Sequence, residues 1–421
     1  MNRIKLLVIT NNPLTKNNSN GRTVLNMVKN KSIEIINFFI NGETSNLEDD
    51  IVYYRFTDKD ALKSLINKDI KPVVVQRTNF QASQSHKTKK RKKRTPLKTL
   101  LRNKVWSRKT IKKDVSLIVE TINPDILLFQ LGDSTFLNEI VASVVYETKL
   151  KLITFNSEDY YFKKWNYLTK KKSLIFKIIK KQFDKSFEKI MELSCFDIYL
   201  TEDLENIYKH RFTSKNSGVI YNTSSLINEP TNFSIDETLF VYSGNLGVGR
   251  LDSLLEIADV LHSLDSSYKL TIFSLSNEER IKTILNNNIS VVFKGGVSYE
   301  RNIEILKKAR IVFCAEGMDD FYVKDTCHAF STKIADLLAL EKLVVVYAPK
   351  TTSIYKYFDE NGIGFTAYDR SSLCNSIKQA IECGCKNPFI AQQTHIFKKN
   401  HNLESNSNHF LSIVKNVLLN K

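Results

Sequence analysis

Val241-Tyr242-Ser243-Gly244-Asn245-Leu246-Gly247-Val248-Gly249-Arg250 runs from an apolar strand through three glycines into a helix whose apolar residues are Leu251, Leu254, Leu255, Ala258 and Leu261. Glycines let a backbone come close to a phosphate, and a helix start offers unpaired N–H groups and a positive dipole end to an anion. Arg250 adds a guanidinium that can grip phosphate oxygens in bidentate fashion. On that reading Gly244, Asn245, Gly247 and Arg250 bind a diphosphate; the plainer reading is a tight glycine turn with a surface arginine. A dinucleotide fingerprint is the weaker competitor, because the spacing is not G-x-G-x-x-G and the loop opens a second domain, not the first.

Two further segments have the same form. Phe330-Ser331-Thr332-Lys333-Ile334-Ala335-Asp336-Leu337-Leu338-Ala339-Leu340 precedes a strand at 343–347. Ser331 or Thr332 is expected to cap its helix, and Lys333 adds a positive charge in a first turn, where the helix dipole opposes it. That placement points to an anion, and Asp336, one turn on, can face the same ligand. At the amino end, a strand at 4–10 leads into a polar loop from Asn11 to Gly21 and a helix start at Arg22-Thr23. Gly21 either permits that turn or approaches the same phosphates.

Outward from these loops, strands and helices alternate, the pattern of a parallel sheet with crossover helices. Strands are expected at 4–10, 33–40, 126–131, 150–155, 197–201 and 219–221, with helices near 22–30, 59–67, 110–122, 134–147, 171–194 and 202–212. After an Asn/Ser/Thr-rich stretch at 222–237 the alternation restarts. Strands are expected at 239–243, 269–273, 290–294, 310–314, 343–347 and 364–368, and helices near 251–264, 277–287, 299–308, 331–340, 351–360 and 371–383. The 421 residues exceed what one core usually supports, about 250–300. The fold class is therefore α/β, with two Rossmann-like doubly wound domains facing across a ligand cleft. The first spans 1–225 and the second 226–402, and a last helix at 403–421 is expected to pack back on the first. Residues 77–108, centred on Lys87-Thr88-Lys89-Lys90-Arg91-Lys92-Lys93-Arg94, read as a mobile basic insertion.

Composition narrows the class further. Apolar residues make up 42% and charged residues 25%, which excludes a disordered chain. No apolar run approaches the roughly 20 residues of a spanning helix, and the start of the chain is too short in its apolar part for a signal peptide. Six cysteines without a C-x-x-C pair or a zinc spacing fit a reduced, cytoplasmic setting with no metal site. Residues 1–200 hold 38 Lys/Arg against 20 Asp/Glu, whereas 201–421 hold 24 against 25. The basic run at 87–94 fits a solvated loop or anionic lipid headgroups, and nucleic acid less well. From Tyr160 to Leu193 aromatics (Tyr160, Tyr161, Phe162, Trp165, Tyr167, Phe176, Phe183, Phe187) alternate with lysines. They read either as anchors lying in the interface of an anionic membrane or as a core helix with a solvated face.

Taken in order, these motifs resemble the GT4-like glycosyltransferases of the GT-B class, particularly the bacterial type that builds capsular or exopolysaccharide repeats. The resemblance covers nearly the whole chain and is strongest at 242–247 with Arg250, at Phe293-Lys294-Gly295-Gly296-Val297, and at 331–339. It implies a retaining, metal-independent transfer from a nucleotide-diphosphate sugar to a glycan or lipid-linked acceptor, with no cofactor. It implies that the Gly244 loop and Arg250 hold the diphosphate, that Gly296 and Val297 border the nucleobase, and that Asp336 contacts the ribose. Three departures stand out. His328 and Asp336 occupy the places of two family glutamates, and Asp252 and Ser253 stand where many members carry a lysine, leaving Lys333 as the second cation. Where the family has an amino-domain histidine, this chain has Asn156-Ser157-Glu158-Asp159-Tyr160, so that Glu158 either serves the acceptor hydroxyl or, with Asp159, caps the next segment. Catalytic roles are accordingly expected of Glu158, Arg250 and Lys333, and a cytoplasmic location, peripheral at the inner face of the membrane. An epimerase or phosphorylase of the same fold, or a non-catalytic scaffold for polyanions or membranes, are the alternatives.

Overall fold

The computed structural model describes residues 3–16, 19–41, 47–76, 95–163, 173–213, 216–226, 234–276 and 278–419. It forms two compact units, Met1–Tyr221 with Asn406–Lys421, and Asn222–Ser405.

In the first unit, β1 (Ile4–Thr10), β2 (Ile33–Phe39), β3 (Val52–Arg55), β4 (Val73–Val75), β5 (Ile126–Gln130), β6 (Leu152–Asn156), β7 (Ser194–Tyr199) and β8 (Ser217–Val219) build one sheet. Its order is β4-β3-β2-β1-β5-β6-β7-β8. The pairs are parallel except β3 with β4. Runs such as Leu6–Ile9 and Ile126–Phe129 are buried at every position, because helices cover both faces of a parallel sheet. The edge strand β4 and its neighbour β3 fall outside the expected set. At four and three residues, with Val52, Val73 and Val74 about half exposed, they carry too little apolar pattern to read from sequence.

The expectation of a mobile insertion at 77–108 needs correction over its second half. Pro96–Trp106 is a helix, with Thr95 accepting a hydrogen bond from Lys98 N and proline in its first turn. Its last residue, Trp106, is fully buried. The indole stacks on Phe136 at 4.7 Å, meets Phe56 edge-on at 5.3 Å and donates to Asp58 at 2.8 Å. A tryptophan so enclosed fixes the helix to the core, whatever the charge upstream. The basic run at 87–94 lies outside the described residues.

The closing helix, Leu403–Leu419, belongs to the first unit from Asn406 onward. Phe410 is fully buried, Asn406 donates to the Tyr221 carbonyl at 3.1 Å, Ser407 donates to the Lys29 carbonyl at 3.0 Å, and Lys151 donates to the Val417 carbonyl at 2.8 Å.

The second unit holds β9 (Asp236–Ser243), β10 (Leu270–Phe273), β11 (Val291–Gly295), β12 (Ala309–Ala315), β13 (Val344–Tyr347) and β14 (Phe365–Ala367). All six strands fall where the sequence places them. They are parallel, in the order β11-β10-β9-β12-β13-β14. Connections therefore wind one way from β9 to β11 and the other way from β12 to β14. At such a reversal two neighbouring strands send their loops apart, and the crevice between their carboxyl ends is where ligands of these sheets bind. In this unit the crevice lies between the loops after β9 and β12.

Candidate functional site

The loop after β9 is Gly244–Gly249. Gly244 N–H donates to the Phe273 carbonyl at 2.9 Å, Gly247 N–H donates to Asn245 Oδ1 at 2.8 Å, and Tyr242 Oη donates to the Asn245 carbonyl at 2.7 Å. Two amides that the sequence reading offers to phosphate thus have partners inside the protein, and Gly244 serves by its bareness instead. A side chain there would collide with the Lys333 ammonium and lie 2.9 Å from Tyr242 Oη. Val248 (φ 53°) and Gly249 (φ 80°) then turn the chain through left-handed backbone into the 15-residue helix Arg250–Leu264. Gly249 packs on the Tyr322 ring and lies 3.0 Å from Gly317 Cα, measured from where its Cβ would be, so no larger residue fits. Val248 is a β-branched residue in a region that costs about 1–2 kcal/mol, held there by its neighbours.

Arg250 opens that helix and reaches across to Glu316, one residue beyond β12. Its Nη2 lies 2.9 Å from Oε1 and 2.7 Å from Oε2. The pair is mostly enclosed, with the two side chains 17% and 7% exposed. Ser253 Oγ donates to the Glu316 carbonyl at 2.7 Å, and Glu316 N–H donates to the Tyr347 carbonyl at 3.0 Å, so the acid's backbone is pinned from both sides. Burial pushes the Glu316 carboxyl upward against the opposing pull of Arg250. Sequence reading missed Glu316. The signal was an acid followed by a glycine directly after an apolar strand, Cys314-Ala315-Glu316-Gly317.

Lys333 begins the helix Lys333–Ala339 and turns its ammonium inward, onto the Ser243 carbonyl and 5.5 Å from the Tyr242 ring centre. Burial lowers its pKa from 10.5 to about 8, with Arg250 adding to the fall and Cys314 and Glu316 opposing it. The Cys314 thiol, enclosed in the same place, is pushed up to about 12. At neutral pH, then, two cations and one carboxylate share the crevice at the reversal point. The excess positive charge suits an anion that can reach all of them.

The expected cap falls to Ser331 and not to Thr332, and it is weak. Thr332 keeps helical backbone (φ −61°, ψ −18°) and makes no capping hydrogen bond, and Ser331 Oγ accepts only a long one, 3.4 Å, from Lys333 N–H. Asp336 is buried, accepting from Ser224 Oγ at 2.6 Å and from Tyr299 Oη at 3.1 Å. Tyr299 starts the helix that follows Gly296 and Val297, so Asp336 and that segment are brought together, one turn of helix from Lys333. Gly296 is exposed against Leu275, and Val297 is half-buried.

Gly21 and Glu158 lie in the first unit. Gly21 is buried in the helix Ser19–Val28 against the Pro13 carbonyl and Thr15 N. Glu158 pairs with Lys163 at 3.5 Å while keeping 44% of its side chain exposed. Its neighbour Asp159 locks the turn, accepting from Phe162 N–H at 2.9 Å and Tyr208 Oη at 3.2 Å. Of the two readings of the aromatics, membrane anchors or core helix, the described ones on the helix Leu174–Leu193 follow the second. Phe176, Phe183 and Phe187 are buried, and Tyr161 packs on Phe187 and Phe212 at 5.3 and 5.5 Å. The helix Leu174–Leu193 exposes Leu174 (78%), Ile178 (49%) and Ile175 (36%), beside Lys177 and Lys181. Trp165 and Tyr167 lie outside the described residues.

Two units, each a Rossmann-like sheet reversing about its first strand, define the GT-B fold. No family model matches the sequence, and no curated protein matches it. Solved structures do. Sucrose-phosphate synthase from Thermosynechococcus elongatus superposes with a TM-score of 0.62 at 10% identity, over 100% of both chains. A glycosyltransferase from Rickettsia africae ESF-5 gives 0.62 at 14% identity, again over 100% of both. Anabaena Alr3699/HepE, solved with UDP and glucose, gives 0.62 at 11% identity over 98% of this chain and 100% of that one. At such identities the likeness is one of fold.

Proposed function

We propose that the chain is a glycosyltransferase that moves a sugar from a nucleotide-diphosphate sugar to a glycan or lipid-linked acceptor, with retention and without an essential metal. The observation that carries this reading is the pair of enclosed cations, Arg250 and Lys333, facing one carboxylate at the reversal point of the second sheet. Cations fixed where negative charge gathers on a departing diphosphate stabilise the transition state without having to reorganise. The GT-B fold, and UDP with glucose in the Anabaena structure, agree with a donor of this class. On this reading Asp336 and Tyr299 meet the ribose, Gly296 and Val297 flank the base, and Glu158 orients or deprotonates the acceptor hydroxyl. A thermal-shift screen with UDP-, GDP-, ADP- and CMP-sugars tests it. One donor class is expected to raise the Tm by several degrees, and no shift with any of them defeats the reading.

The lipid-linked form of the acceptor draws support from Leu174 and Ile178 standing exposed among lysines, a combination that binds anionic interfaces through both apolar contact and charge. Among the described residues no helix is long and apolar enough to cross a membrane. Sedimentation with phosphatidylglycerol vesicles is expected to carry the protein down in low salt, and the Leu174→Asp/Ile178→Asp variant is expected to stay in the supernatant. Equal sedimentation of both would remove this surface from the account.

A further inference from the structure

Glu316 is a strongly enclosed acid at the crevice, and it has no place in the roles assigned so far. An enclosed carboxylate next to a diphosphate site looks like a liability, since it repels the ligand that the neighbouring cations attract. Its geometry resolves the difficulty. Both of its oxygens meet a single nitrogen of Arg250, Nη2, at 2.9 and 2.7 Å. Nη1 and Nε take no part in the contact. A guanidinium donates in its own plane, so its remaining N–H groups meet a phosphate only when that plane is fixed. An arginine with four rotatable bonds has no fixed plane by itself. Glu316 supplies one, because its own backbone is held by Tyr347 on one side and Ser253 on the other.

We propose that Glu316 is a positioning residue: it grips Arg250 by one nitrogen and so fixes the guanidinium plane, with the N–H groups on Nη1 and Nε presented to a diphosphate at the β9–β12 crevice. This rests on the donor-site reading above and names the residue that orients its arginine. The groups facing the pair are Lys333, Tyr242 and Cys314, of which only Lys333 is charged at neutral pH. Glu316 therefore also cancels one of the two positive charges and leaves a net single cation for the ligand.

The test is the dissociation constant for UDP-glucose of the full chain, by calorimetry or, for weak variants, by chemical-shift titration, in a double-mutant cycle. Glu316→Ala is expected to weaken binding at least tenfold. In an Arg250→Ala background the same change is expected to alter binding less than twofold, because there is no guanidinium left to orient. Glu316→Gln keeps an oxygen for Nη2 and removes a negative charge, so it is expected to bind no more weakly than the native protein. That variant also preserves the test if Glu316→Ala does not fold. An undiminished loss in the Arg250→Ala background, native binding by Glu316→Ala, or a tenfold loss in Glu316→Gln would each overturn the proposal. If the native protein bound UDP-glucose but the cycle showed no coupling, this inference alone would fall. If UDP-glucose did not bind at all, it would fall together with the donor reading for that base.

Discussion

Arg250→Ala is expected to lower turnover by about 100- to 1,000-fold while leaving the fold intact, the loss that follows removal of one preorganised charge from a transition state. Two features make the arginine costly to lose. It is enclosed, so its field is little screened, and it is anchored to Glu316, so it has no orientation left to find when the ligand arrives. The fold survives for a separate reason. Loss of Arg250 leaves Glu316 facing the Lys333 ammonium, and its backbone stays held by Ser253 and Tyr347. Steady-state rates and a denaturation curve on the same variant check both halves. A loss of turnover that merely tracked a loss of folded protein would contradict the assignment.

Lys333→Met should make the protein more stable and weaken its hold on the donor. Lysine and methionine are similar in length, so the change removes the charge and leaves most of the packing. The ammonium's pKa falls from 10.5 to about 8 on folding, chiefly through burial, which means that folding opposes its charge. That cost is present in full below pH 8, shrinks between pH 8 and 10.5, and vanishes above, where the lysine is neutral in both states. At pH 7 the variant is expected to gain about 1–3 kcal/mol after allowance for partial exposure and for the bond lost to Ser243. The gain is expected to fade as the pH rises past 8. Donor binding runs the other way. An incoming diphosphate favours the charged lysine, so native affinity should fall as the pH rises through about 8, and the variant's residual affinity should not follow it. Denaturation and titration at pH 7 and pH 9 read all of this, and a destabilised Lys333→Met would show that the ammonium supports the fold instead of the ligand.

Both effects centre on a region that was readable before any coordinates. The three glycines between an apolar strand and the helix from Arg250 set the boundary, the loop and the arginine, because strand, turn and helix each leave a local mark. All six strands of the second sheet were legible for the same reason. Contacts between segments distant in sequence were not. Glu316 is 66 positions from Arg250, and nothing local to either announces the pair. The amides of Gly244 and Gly247 looked available because sequence does not show that Phe273 and Asn245 engage them. Lys333 read as a residue at odds with its helix dipole, which was informative, although the partner that draws it inward is a carbonyl 90 positions away. In the first unit, the charge density around 87–94 hid a well-capped helix directly after it, and of the described aromatics from Tyr160 to Phe187, Phe176, Phe183 and Phe187 mark the core while Phe162 stays 38% exposed. Periodicity reports that one face is apolar. It does not say whether protein or membrane covers that face.

The most direct measurement is a structure of the protein with a nucleotide sugar bound, the donor being chosen by the thermal-shift screen. Diphosphate oxygens are expected within about 3 Å of both the Arg250 guanidinium and the Lys333 ammonium, at the carboxyl edge between β9 and β12, with Glu316 still on Nη2. A nucleotide seated anywhere else, touching neither Arg250 nor Lys333, would contradict the account.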